Sequence, residues 1–229
     1  MFGLKEILKR IINEEALTLE QRINILNSKR VDLEVLNYLA NKFSHLKIEV
    51  CGDYEGDILY LMEKGLLEGW CWQTTASSII FLNDNDYIER GYLKFSKDKD
   101  YYHSWVCFKY KSKKYVFDPC LNFLCEKKFY YKIFEISVKG RTTSKEVRDE
   151  LILRINTPKE EKENKQQVFI SKFLERHCPD EVNRQRKETQ IHGSEDVNSP
   201  MYRNNTGYMA ELQEGKIKKL VAHFYVSEG

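Results

Sequence analysis

The stretch Gly69-Trp70-Cys71-Trp72-Gln73-Thr74-Thr75 decides how this chain reads. Gly69 breaks whatever precedes it. Cys71 then opens an apolar-periodic run through Trp72, Ala76, Ile79, Ile80 and Phe81, which predicts a helix. A thiol at a helix N-terminus faces the positive end of the macrodipole, which lowers its pKa and raises its thiolate fraction near neutral pH. Thr74, Thr75, Ala76, Ser77 and Ser78 are small, so a sheet can approach this helix closely.

Two downstream segments complete the pattern. Tyr101-Tyr102-His103-Ser104-Trp105-Val106 is β-rich, and alternation puts His103, Trp105 and Cys107 on one face of a strand. Lys113 to Phe117 reads as the next strand after a tight turn at Lys111-Ser112, and Asp118 closes it just before Pro119. A short antiparallel hairpin brings the end of its second strand near the start of its first, which predicts Asp118 behind His103. Nucleophilic acyl chemistry needs a polarisable nucleophile, a base to deprotonate it and a group to hold the base in one tautomer. Cys71, His103 and Asp118 supply the three in that order.

Gly-Trp-Cys-Trp, His-Ser-Trp-Val and Phe-Asp-Pro together resemble the core of the transglutaminase-like superfamily, which includes many short bacterial members. The resemblance spans residues 68–122. It implies a papain-like arrangement within an α+β fold, with the nucleophile helix packed on an antiparallel sheet. It further implies a thioester on Cys71, His103 as base and then acid, Asp118 orienting the imidazole, and neither cofactor nor metal. Trp70, Trp72 and Trp105 are the expected walls of a substrate cleft. The backbone N–H of Cys71 is the candidate oxyanion donor.

Three plainer readings stand beside this one. Free cysteine is among the most buried residue types, so Cys71 among tryptophans also fits simple packing. A non-catalytic binding or regulatory module on the same fold is the alternative function. His103 and Cys107 with Cys120 and Cys125 offer four soft ligands for zinc, although their spacing is not that of a usual structural site.

Composition bounds the partners. At 229 residues, with 41% hydrophobic and 13% aromatic residues, the chain can build one ample core. The charged fraction of 31% and mean hydropathy of −0.59 make its surface wet. Thirty-seven basic against 35 acidic residues give +2, with no bias toward nucleic acid or a membrane, so a protein or peptide substrate is the expected partner. The six cysteines show no disulfide-scaffold spacing, and the charged N-terminus is not that of a signal peptide. A cytoplasmic location is expected, and richness in Lys, Asn, Ile, Tyr and Glu fits an AT-rich bacterial or phage genome.

The expected organisation has three parts. Residues 1–140 form the catalytic unit: N-terminal helices at Phe2–Ile12, Leu17–Leu26 and Leu36–Phe43, a helix from Ile58 to Leu67, the nucleophile helix, and strands at Tyr92–Phe95, Tyr102–Tyr110, Lys114–Phe117 and Phe129–Val138. Gly52 to Asp57 reads as a solvated acidic loop. Residues 141–200 connect, with a helix at Ser144–Ile155 and a polar stretch from Pro158 to Pro200. Residues 201–229 form a β-hairpin turning at Glu214-Gly215, expected to pack on the catalytic unit without donating a catalytic side chain.

Overall fold

A computed structural model describes residues 33–96, 99–156 and 204–226. The first two expected helices and the polar stretch from Pro158 to Pro200 lie outside the described residues. The fold is mixed α+β, with two sheets.

Helix α1 (Leu33–Phe43) and strands β1 (Leu46–Val50) and β2 (Tyr54–Gly56) come first, followed by α2 (Ile58–Glu63) and α3 (Cys71–Ile79). Strands β3 (Tyr87–Ser96), β4 (Lys99–Tyr110), β5 (Lys113–Asp118) and β6 (Phe123–Glu126) lead into α4 (Lys127–Phe134). Strand β7 (Ser137–Thr143), helix α5 (Ser144–Asn156) and the hairpin β8 (Asn204–Gln213) and β9 (Lys216–Val226) complete the order.

The central sheet is five-stranded and antiparallel, in the order β6-β5-β4-β3-β7. Strict alternation gives it two apolar faces. Val106, Phe108, Tyr115, Phe117 and Leu124 face a core shared with α1, α3 and the second sheet, whereas Trp105, Cys107, Val116, Phe123 and Cys125 face α4. Helix α4 meets that face with Tyr130, Ile133 and Phe134, all buried.

The second sheet has the order β2-β1-β9-β8, so the C-terminal hairpin joins the molecule through a parallel β1–β9 pair. Leu46, Ile48 and Val50 alternate inward from β1, as do Leu220, Ala222 and Phe224 from β9. Both turn residues of the hairpin, Glu214 and Gly215, have positive φ. That is the geometry of a two-residue turn matched to strand twist.

Several expectations are corrected. Phe129–Val138 is not a strand: its first part is helix α4, and β7 follows after Glu135, whose φ of 46° ends the helix. The aromatic run Phe129-Tyr130-Tyr131 has high β propensity. Docking Tyr130, Ile133 and Phe134 together on the sheet requires helical spacing, and that packing overrides propensity. The Ile58–Leu67 helix stops at Glu63, Tyr92–Phe95 is the later half of a ten-residue strand, and the boundary expected at residue 140 falls inside β7. Strands β1 and β2 were not expected, although Leu46-Lys47-Ile48-Glu49-Val50 carries the alternation that marks one. Among the described residues no helix is long and apolar enough to cross a membrane.

Candidate active site

Helix α3 begins where the sequence predicts. Gly69 adopts φ +82°, Trp70 occupies the cap position without a side-chain cap, and the Thr74 N–H bonds the Trp70 carbonyl at 2.9 Å. No acidic side chain stands in the first turn, so no like charge repels a thiolate there. Six consecutive helix residues, Thr74 to Ile79, are buried. The hydroxyls among them are satisfied within the helix: Thr74 Oγ1 donates to Trp70 O (2.8 Å), Thr75 Oγ1 to Cys71 O (2.7 Å) and Ser77 Oγ to Gln73 O (2.7 Å). This lets a polar helix lie between layers without unpaired groups.

The sheet register explains how His103 meets Asp118. Val106 pairs with Phe117. One further step sets Trp105 opposite Asp118, and His103 is then the diagonal neighbour on the same face. His103 Nε2 and Asp118 Oδ2 are 2.9 Å apart, with side-chain exposures of 2% and 0%. Water screening is therefore weak, and the remaining lone pairs of the carboxylate must be satisfied by protein. They are: Oδ1 accepts the Leu121 N–H at 3.1 Å, and Oδ2 also accepts the Tyr130 hydroxyl at 2.6 Å.

With Nε2 committed to Asp118, the enclosed Nδ1 has no hydrogen-bond partner of regular geometry. The group acting on the ring from the α3 side is the Cys71 thiol. Catalytic hydrogen bonds are often long or poorly aligned before substrate binds. Burial favours neutral imidazole, but the Asp118 carboxylate and then Cys71 outweigh it and push His103 up to about 10. Burial likewise raises the Cys71 thiol. It is overcome by the charge of His103 and by hydrogen bonds from His103 and Ser104, which leave the thiol below its ordinary value. The two shifts have opposite signs, as a thiolate–imidazolium pair requires.

Sequence reasoning missed two residues of the site. Ser104 acts on Cys71 through both side chain and backbone, and its hydroxyl lies 3.2 Å from Thr75 Oγ1. The β4–β5 pairing ends at Val106 and Phe117, short of Ser104. Its signal was its place beside His103. Tyr130 escaped because its segment reads as a strand.

The three tryptophans divide. Trp72 is partly exposed, with the Arg90 guanidinium 5.2 Å from its ring. Trp70 is buried and stacks on Phe224 of the hairpin at 5.3 Å. Trp105 is fully buried, stacks 6.4 Å from His103 and donates its indole N–H to Glu89 at 3.2 Å. Trp70 and Trp105 are thus buried packing residues, and of the three tryptophans Trp72 alone is partly exposed. Tyr101 joins it at the mouth, 40% exposed, its ring 5.8 Å from His103.

Glu89 anchors the layer beneath. It is fully buried on β3 and accepts from Cys107 (3.1 Å), Lys127 (2.9 Å), Arg141 (2.7 Å), Trp105 and the Tyr131 hydroxyl. Burial opposes its charge, but Lys127 and its other donors hold its carboxyl below the ordinary range. The four soft ligands considered for zinc go to separate partners: His103 to Asp118, Cys107 to Glu89 and Cys120 to Thr74 (3.3 Å), while Cys125 is buried under α4. Among the described residues no three His, Cys, Asp or Glu side chains are grouped to hold a metal ion.

No protein-family model, curated protein or solved structure matches the chain. The chemistry of the site therefore rests on its geometry.

Proposed function

We propose that this protein is a cysteine-dependent acyl-transfer enzyme with a transglutaminase-like, papain-like core, acting on the amide carbonyl of a protein or peptide. The observation that carries the proposal is geometric: the buried His103–Asp118 pair, 2.9 Å apart, stands by the helix N-terminus that Cys71 opens, and the opposed shifts agree with it. The thiol of a partly buried cysteine at a helix N-terminus without a side-chain cap is held low, beside a buried imidazole held high by Asp118.

The Cys71 thiolate attacks the carbonyl carbon, and the oxyanion is met by the N–H of Cys71 at the start of α3. As the tetrahedral adduct collapses, the C–N bond breaks and the His103 imidazolium gives its proton to the departing amine. A thioester remains on Cys71, with His103 neutral. Water or a second amine then attacks the thioester carbonyl while His103 takes its proton. Release of the acid or the new amide restores the ion pair. Asp118 keeps the imidazole in one orientation and stabilises its charge throughout.

The test uses an acyl-donor peptide library with and without a primary amine, read by intact mass. An acyl adduct on Cys71, lost in Cys71→Ser and slowed about 10²–10⁴-fold in His103→Ala, is expected. Incorporated amine identifies transfer, and free acid identifies hydrolysis. If Cys71 alkylates no faster than the buried Cys107 and no adduct forms, the chain is instead a binding module on this fold.

A further inference from the structure

The Asp118 carboxylate has one donor that a cysteine–histidine–aspartate set does not need. Tyr130 reaches it from α4, on the far side of the sheet from the Cys71 helix. Its ring is fixed between Trp105 (5.8 Å), Phe134 (5.0 Å) and Phe123 (6.4 Å) and is fully buried, so the hydroxyl has no access to water. We propose that Tyr130 is a positioning residue for the Cys71–His103–Asp118 set. Its hydroxyl donates at 2.6 Å to the same Oδ2 that His103 Nε2 approaches at 2.9 Å, and so regulates how tightly His103 keeps its proton.

The physical reason is charge sharing. A carboxylate oxygen that accepts a short hydrogen bond from a phenol is a weaker acceptor toward its second donor. Without Tyr130, Asp118 would draw the imidazolium proton harder, and His103 would surrender it less readily to a leaving amine. With Tyr130, the imidazolium stays acidic enough to act. The phenol must remain protonated where His103 titrates, and it does: burial, then Asp118, push Tyr130 well above its ordinary value.

The other groups around the pair come from every neighbouring element. Cys71 faces His103 from α3, and Tyr101 lies along β4, with Glu68 acting on it. Cys120 follows β5, and Cys125 on β6 senses Asp118 while also acting, with Cys107, on Tyr130. Among the described residues, Tyr130 and His103 share Asp118 Oδ2, while the Leu121 N–H donates to Oδ1.

The inference rests on the Cys71–His103–Asp118 reading, and its test needs no substrate. The imidazole nitrogen resonances of the full chain are titrated by NMR, with His103 assigned by its disappearance in His103→Gln. In Tyr130→Phe the His103 midpoint is expected to rise by about half a pH unit or more. In Asp118→Asn it is expected to fall. A 3-fluorotyrosine placed at 130, a stronger donor that keeps the hydroxyl, should lower the midpoint and so covers the case in which the phenylalanine variant does not fold. A merely structural tyrosine would not produce opposite movements. An unmoved His103 midpoint in Tyr130→Phe, or displacement in the same direction by both substitutions, overturns the inference. Alkylation of Cys71 in the same wild-type sample separates the two claims: an unreactive thiol with the expected His103 movements sinks the acyl-transfer reading and leaves the Tyr130 link standing.

Discussion

Trp70, the residue immediately before Cys71, is stacked on Phe224 of the C-terminal hairpin, with ring centroids 5.3 Å apart and planes 23° from parallel. The start of the Cys71 helix is therefore braced by a residue 154 positions further along the chain (70 to 224). The hairpin supplies none of Cys71, His103 and Asp118, yet it supports the turn that precedes Cys71.

Phe224→Ala should accordingly act twice. Phe224 is 1% exposed within the core shared by both sheets, so truncation is expected to cost about 3–5 kcal/mol in urea unfolding. In protein still folded at zero denaturant, Cys71 alkylation should slow as Trp70 loses its support. Unchanged labelling would show that the helix N-terminus holds its place without the hairpin. Removing residues 204–226 altogether goes further, because β9 occupies an interior position beside β1. Its loss should abolish cooperative unfolding, as followed by urea titration.

The pH dependence of Cys71 follows from the two shifts. His103, raised to about 10, contributes stability that is complete below its ordinary value and is lost as pH climbs through about 10. Cys71, held low, contributes stability present above its ordinary value and lost as pH falls through the depressed one. The ion pair is thus intact between the lowered thiol value and about 10. At pH near 6.5, Cys71 should react with iodoacetamide about 10–100-fold faster than free cysteine, since an ordinary thiol is then only about 1% ionised. Cys107, Cys120 and Cys125, all pushed up by burial first, should stay unlabelled. Peptide mapping across a pH series checks this. A rate rising only through the range of an ordinary thiol would remove the basis for an activated nucleophile.

Gly91→Ala is the sharpest backbone test. Gly91 sits on β3 opposite His103, where the β3–β7 pairing skips Lys139 in a bulge. A Cβ there would lie 2.1 Å from the Ser137 carbonyl oxygen and 2.9 Å from its carbon. The backbone has to move, at a cost of about 3 kcal/mol, and the strand that holds His103 moves with it. Urea unfolding and Cys71 labelling should both report the change, and a neutral effect on both would mean that the bulge is not rigid.

What was legible in the sequence is what short-range chemistry sets. Gly69 before an apolar-periodic run starts α3 at Cys71, and alternation puts His103 with Trp105. A two-residue turn at Lys111-Ser112 brings Asp118 back to His103 across only 15 positions. A register set by a short turn is local information. The second sheet is different. The parallel pairing of Leu46–Val50 with Leu220–Phe224 joins segments whose patterns each allow many partners, and the shared core selects between them. The same holds for α4. Its residues favour a strand, but burying Tyr130, Ile133 and Phe134 together against Trp105 and Phe123 requires a helix. That choice carries the Tyr130 hydroxyl to Asp118, and it turns Trp105 from a cleft wall into the floor under His103. Sequence by itself singled out Cys71, His103 and Asp118 and brought the last two together. Tertiary packing decided what surrounds them, because side chains distant along the chain meet only when both faces of the sheet are covered.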